Sequence, residues 1–288
     1  MASIHTSKCP SHARSNSLPC GVHPLSMYVE EQLNRIKSSE GTSTSSASQK
    51  LGILKDLFNC VDDLLKLPLT QQALSHEHQR SSVEELLDGS LELLDVCENA
   101  KDAFSQIKEC IKPPPAAAAR KGGDFDLAKE IESYISTRKK LQKIISKYLV
   151  NLKKMERKNS LNRESNREAT LSMLRQVEEI SLSVFASLLC FLSQSSASLK
   201  RSSWLLLTRL MSSKRVVCEG EDDANEMATF DSVLLSLKSG KASCLQENDF
   251  LKRSDALESS LQELEEDLEC VFRRLVKMRV SLLNIVNH

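Results

Sequence analysis

Residues 257–285 read LESSLQELEEDLECVFRRLVKMRVSLLNI. Leu257, Leu261, Leu264, Leu268, Val271, Leu275, Met278, Leu282 and Ile285 step alternately by four and three. This spacing returns every side chain to one face of a 3.6-residue helix and does not match the period of two that a strand requires. The stretch predicts a helix over 243–287 with a coiled-coil-like heptad seam. Val280, Leu283 and Val286 widen the apolar face beyond a narrow seam, as in a bundle helix.

The same stepping recurs upstream. Leu86, Ser90, Leu93, Cys97, Ala100, Phe104, Ile107 and Ile111 form one stripe, predicting a helix over 81–111. Leu127, Ile131, Tyr134, Arg138, Leu141, Ile145, Tyr148, Leu152 and Met155 form another from 126 onward, with Arg138 intruding. A helix over 167–194 is apolar on several sides (Ile180, Leu182, Val184, Phe185, Leu188, Leu189), which suits the centre of a bundle. Shorter helices are expected over 26–39, over 49–67 before Pro68, from about 69, around Trp204, and over 226–238 before Gly240. The reading is all-α: a bundle of long antiparallel helices over 26–288, after a disordered leader over 1–25. Linkers fall near 40–48, 112–124, 158–166 and 214–225; KPPPAAAARKGGD at 112–124 breaks the helix before it.

Composition agrees. Only 4% of the 288 residues are aromatic, with 8 Gly and 7 Pro, too few for the strands and turns of a β protein. Lys plus Arg and Asp plus Glu are 39 each, so bulk charge predicts no nucleic-acid partner. The nine cysteines are scattered and no secretory signal precedes them, so they read as reduced, mostly buried thiols. The longest apolar stretch, Ile180 to Leu192, is too short at 13 residues to span a bilayer.

Charge is unevenly placed. Residues 138–158 hold nine bases and one acid, Glu156. Residues 258–269 hold Glu258, Glu263, Glu265, Glu266, Asp267 and Glu269 and no base. Complementarity predicts that the 126–157 and 243–287 helices touch, with Lys153, Lys154, Arg157 and Lys158 near the acidic run.

Signs of chemistry are sparse. Cys9, His12, Cys20 and His23 form two Cys-x2-His pairs with zinc-type ligands, a weak metal candidate because no apolar residues surround them. No phosphate loop, nucleophile elbow or His-Glu-x-x-His motif is present, so neither a catalytic residue, a cofactor nor a small-molecule substrate is assigned. His76 and His78, two apart, would point in different directions on a helix. Lys139, Lys140, Lys143, Lys147, Lys153, Lys154 and Arg157 form a basic face opposite Leu141, Ile144, Ile145, Tyr148, Leu152 and Met155. Such a face suits a solvated bundle surface, an anionic membrane surface or a calmodulin-binding helix. Arg14, Ser17 and Pro19 complete RSNSLP, the pattern that 14-3-3 proteins bind once the second serine is phosphorylated. Ser160, after Arg157 and Lys158, is a weaker kinase site in an expected loop.

HARSNSLP (12–19), VEEQLNRIKSSE (29–40), LFNCVDDLLKLPLTQQALS (57–75), VEELLDGSLELLDVCENAKDAFSQIKE (83–109) and VSLLNIVNH (280–288) together resemble the plant BYPASS-like family. The resemblance implies a plant protein, an all-helical fold and a link to root and shoot development, and supplies no catalytic residues. The resulting expectation is a non-enzymatic interaction or regulatory protein in the cytoplasm, phosphoregulated at Ser17. The alternative is a peripheral membrane or plastid-associated protein acting through 138–158 or the leader. An unrecognised type of enzyme ranks third.

Overall fold

The computed structural model describes residues 23–39, 43–111, 127–161, 168–193, 226–238 and 244–287. Among them are eight α-helices, one 3₁₀ turn and no strand. They are α1 (Pro24–Ser38), α2 (Thr44–Leu65), α3 (Pro68–Ser75), α4 (Arg80–Ile111), α5 (Leu127–Leu161), α6 (Ala169–Ser193), α7 (Glu226–Lys238) and α8 (Cys244–Asn287), with the 3₁₀ turn at Glu77–Gln79. The expected helix at Trp204, and the linkers at 112–124 and 214–225, lie outside the described residues.

The heptad stripes become the core. All nine α8 positions from Leu257 to Ile285 are buried, as are all eight α4 positions from Leu86 to Ile111. Helix α8 shares this stripe between α2 and α4, so its seam serves several partners. α6, apolar nearly all round, packs on α1, α2, α4 and α5. It is long and apolar enough to cross a membrane by length and composition, and most of it is buried inside the bundle.

Cross-helix contacts fix the directions. Ser254 donates to the Ile111 carbonyl at 2.7 Å, and Arg279 Nη1 donates to Ser90 Oγ at 2.8 Å, so α4 and α8 are antiparallel. Lys55 meets Asp267, whereas Asp62 meets Lys277 and Ser281, so α2 runs parallel to α8. The bundle therefore mixes the expected antiparallel pairs with at least one parallel pair.

Several boundaries differ from the sequence expectation. The 40–48 linker is shorter, because Ser43 accepts a 3.2 Å hydrogen bond from the Ser46 N–H and starts α2 at Thr44. A hydroxyl at the N-cap satisfies a donor that helix geometry leaves open, so serine-rich polar sequence here begins a helix. Pro24 stands in the first turn of α1, so the leader ends before residue 25; its fixed φ and missing N–H suit that turn. α5 runs on to Leu161, which places Ser160 in a helix instead of the expected 158–166 loop. The loop expectation rested on polar composition, which a helix end can share with a loop.

Candidate functional site: the basic face of α5 and the polar cluster beneath it

α5 buries Ile131, Tyr134, Arg138, Leu141, Ile145, Leu149 and Leu152 against α4, α6 and α7. The helical repeat then forces the opposite face outward. Lys139, Lys140, Lys143, Lys147, Lys154 and Arg157 are exposed. None of these six forms an ion pair with a described residue. Lys153, expected on the same face, is half-buried. From residue 139 to 157 the ridge is about 27 Å long at 1.5 Å per residue.

The predicted contact between α5 and α8 is not among the main packings of the described residues: α5 packs chiefly on α4, α6 and α7, and α8 on α2, α3, α4 and α7. Three acids of the α8 run pair with other lysines. Lys55 Nζ lies 2.6 Å from Asp267 Oδ1, with Ser48 Oγ 3.3 Å from Oδ2. Lys101 pairs with Glu269, and Lys108 pairs with Glu265 and reaches Gln262 Oε1 at 2.5 Å. The Lys101 ammonium also sits 4.9 Å from the Phe272 ring centroid. Sequence charge counts named the two blocks but not their partners. The signal that was available is the seven-residue spacing of Lys101 and Lys108, which sets both beside the α4 stripe facing α8.

Beneath the ridge lies a buried polar cluster. Tyr134 Oη donates to Asp231 Oδ1 at 2.6 Å, and Arg138 Nε donates to Asp231 Oδ2 at 3.3 Å. Arg138 also donates to the Leu192 carbonyl in the last turn of α6. Arg138 and Asp231 are 5% and 4% exposed. Burial, then the Asp231 charge, pushes the Tyr134 phenol far above its ordinary range. The tyrosine thus stays a neutral donor. Its ring meets Phe230 edge-on at 5.7 Å between centroids. This cluster ties α5, α6 and α7 together, so the arginine that interrupts the α5 stripe is a cross-helix tie. Ser90, the interruption of the α4 stripe, bonds likewise, donating to the Leu87 carbonyl at 2.7 Å and accepting from Arg279.

The remaining candidates separate clearly. Arg14, Ser17, Pro19, Cys9, His12 and Cys20 lie outside the described residues. His23 Nδ1 accepts from the Leu25 N–H at 3.2 Å and caps α1. Among the described residues no group of three or more His, Cys, Asp or Glu side chains is arranged to hold a metal. His76 and His78 stack, with ring centroids 5.5 Å apart, contrary to the expectation that they diverge. His76 is extended just before the 3₁₀ turn and His78 lies within it, so the α-helical rotation of 100° per residue does not apply. Cys60 and Cys97 are buried, and Cys110, Cys190 and Cys270 half-buried. Burial pushes the Cys97 and Cys190 thiols up to about 12, so neither supplies a thiolate at neutral pH. The buried Lys50 ammonium, 3.1 Å from Ser187 Oγ, is lowered by burial.

Neither a curated protein nor a solved structure matches the chain. A family model described as Protein BPS1 matches residues 50–285, from the first turns of α2 to the end of α8, and so takes in every described element of the basic face and the cluster beneath it. The chain belongs to the BPS1 (BYPASS1) family.

Proposed function

We propose that this chain is a non-enzymatic interaction and regulatory protein of plant development that works by docking an anionic surface on the basic face of α5. The BPS1 family is not a known enzyme family. The observation that carries the reading is the fate of the acidic run of α8. Asp267, Glu269 and Glu265 pair with Lys55, Lys101 and Lys108 on α2 and α4, and none of the six exposed ridge cations pairs with a described residue. A cationic ridge without counter-charges among the described residues attracts an external anion and raises encounter rates with it. The leader adds a switch in this reading: phosphorylated Ser17, with Arg14 and Pro19 around it, engages a 14-3-3 protein in the cytoplasm.

The test is rescue of root and shoot growth in plants lacking the protein. The unaltered chain is expected to restore growth. A chain with Lys143, Lys147, Lys154 and Arg157 all changed to Gln, with unchanged helical circular dichroism, is expected not to. Full rescue by that folded variant overturns the reading.

A further inference from the structure

The chemistry of the ridge narrows its partner, given that the ridge is the docking surface. Five of the six exposed cations, Lys139, Lys140, Lys143, Lys147 and Lys154, are lysines, and only Arg157 is an arginine. Lysine is a hydrated point charge without the planar fork that recognises a carboxylate in two places. Protein interfaces favour aromatic and arginine anchors in a desolvated centre and are depleted in lysine. On this helix the one exposed large apolar side chain among the described residues is Val150. The apolar face that would insert into a bilayer is already buried in the bundle, from Ile131 to Leu152. Insertion like that of an interfacial amphipathic helix is therefore closed to α5. What remains is a straight row of cations on a rigid support, with Lys143, Lys147, Lys154 and Arg157 on one line. That arrangement fits a flat sheet of negative charge.

We propose that the α5 ridge docks the whole bundle, by charge alone and without insertion, on an anionic phospholipid bilayer. The phosphate and carboxylate headgroups face the lysines, and no protein segment enters the hydrocarbon. Binding of this kind falls with salt, because screening shortens the reach of each charge to about 8 Å at physiological ionic strength. It also falls about fivefold for each cation removed near the surface.

The experiment is co-sedimentation of the full chain with vesicles of phosphatidylcholine, with and without about one-third phosphatidylserine. Two variants accompany it. The ridge variant changes Lys143, Lys147, Lys154 and Arg157 to Gln. The control changes four exposed cations elsewhere, Lys37, Arg80, Lys252 and Arg273, to Gln. The unaltered chain and the control are expected to bind only the anionic vesicles and to release in high salt. The ridge variant is expected to bind them at least ~100-fold more weakly at unchanged helicity. Equal binding by the ridge and unaltered chains, equal binding to neutral vesicles, or no binding by the unaltered chain overturns the proposal. So does capture of acidic polypeptide or nucleic acid by the ridge when vesicles are not bound. If vesicles are not bound and the ridge variant still fails to restore growth, the lipid assignment falls and the interaction reading stands. If vesicles are bound and the ridge variant restores growth, the reverse holds.

Discussion

Arg138 and Asp231, 93 residues apart in the chain, meet inside the bundle with Nε 3.3 Å from Oδ2. Both are almost wholly buried, so each charge depends on the other and on Tyr134. Asp231→Ala removes the carboxylate that the buried guanidinium meets and is expected to cost about 3–5 kcal/mol. Replacing the whole set, with Tyr134→Phe, Arg138→Met and Asp231→Leu together, is expected to cost less than that single change, because both charges of the pair are removed with their desolvation cost. Urea denaturation of the variants checks the order. A triple variant clearly less stable than Asp231→Ala would contradict it.

Asp62 gives the pH dependence. Its side chain is buried, and burial alone would raise its pKa. Hydrogen bonds from Lys66, Ser281 (2.6 Å) and Lys277 overcome this and hold the carboxyl below its ordinary range. A depressed folded pKa adds stability above the unfolded value of about 3.9 and loses it as pH falls through the folded pKa. Asp62→Asn is therefore expected to be less stable than the unaltered chain at pH 7, by about 2 kcal/mol, with the gap closing below about pH 4. Melting temperatures across that range decide it; a gap that stays constant to pH 3 counts against the account.

Gly89 lies against Glu178 where α4 crosses α6. A Cβ at residue 89 would collide with Glu178 Oε1 and stand 2.8 Å from its carboxyl carbon. On an open helix Gly→Ala gains up to about 1 kcal/mol. Here Gly89→Ala is expected to lose that gain and destabilise the chain, because the buried carboxylate must move. With Glu178→Ala already in place, the same change is expected to stabilise it by about 1 kcal/mol. A double-mutant cycle measures the difference. Additive effects would show that the two positions do not touch.

Ser17 is testable apart from the bundle. A peptide spanning 12–21 and phosphorylated at Ser17 is expected to bind a 14-3-3 protein, since the phosphate brings nearly two charges for an arginine cluster. The unphosphorylated peptide is expected not to bind, and Arg14→Ala to lower phosphorylation by basophilic kinases. Fluorescence anisotropy and kinase assays read the two effects. Equal binding of both peptides would remove Ser17 from the scheme.

Much of the fold was legible because heptad stepping is a local property of the chain. The stripes of α4 and α8 could be read residue by residue, and every one of those side chains is buried. The exposed lysines of α5 followed from the same wheel, apart from Lys153. Partnership was not legible. Charge complementarity suggested that α5 faces α8, yet long-range pairing depends on how the helices fill one core, and Lys55, Lys101 and Lys108 take Asp267, Glu269 and Glu265. Arg138 showed as an anomaly in its stripe, but nothing local pointed to Asp231, on a separate short helix. Helix ends were misread where polar composition, as in Ser43 to Ser48, means a cap and first turn instead of a linker.

Lysine footprinting in the presence of vesicles tests the central claim most directly, because it reads the ridge and its partner together. The full chain is acetylated briefly, with and without anionic vesicles, and each lysine is quantified by mass spectrometry. Without vesicles, Lys139, Lys140, Lys143, Lys147 and Lys154 are expected to react faster than Lys50, Lys55, Lys101 and Lys108, which are buried or paired. With vesicles, protection is expected to be confined to the α5 ridge. Ridge lysines that react at the same rate in both conditions, or protection centred on another face, would contradict the account.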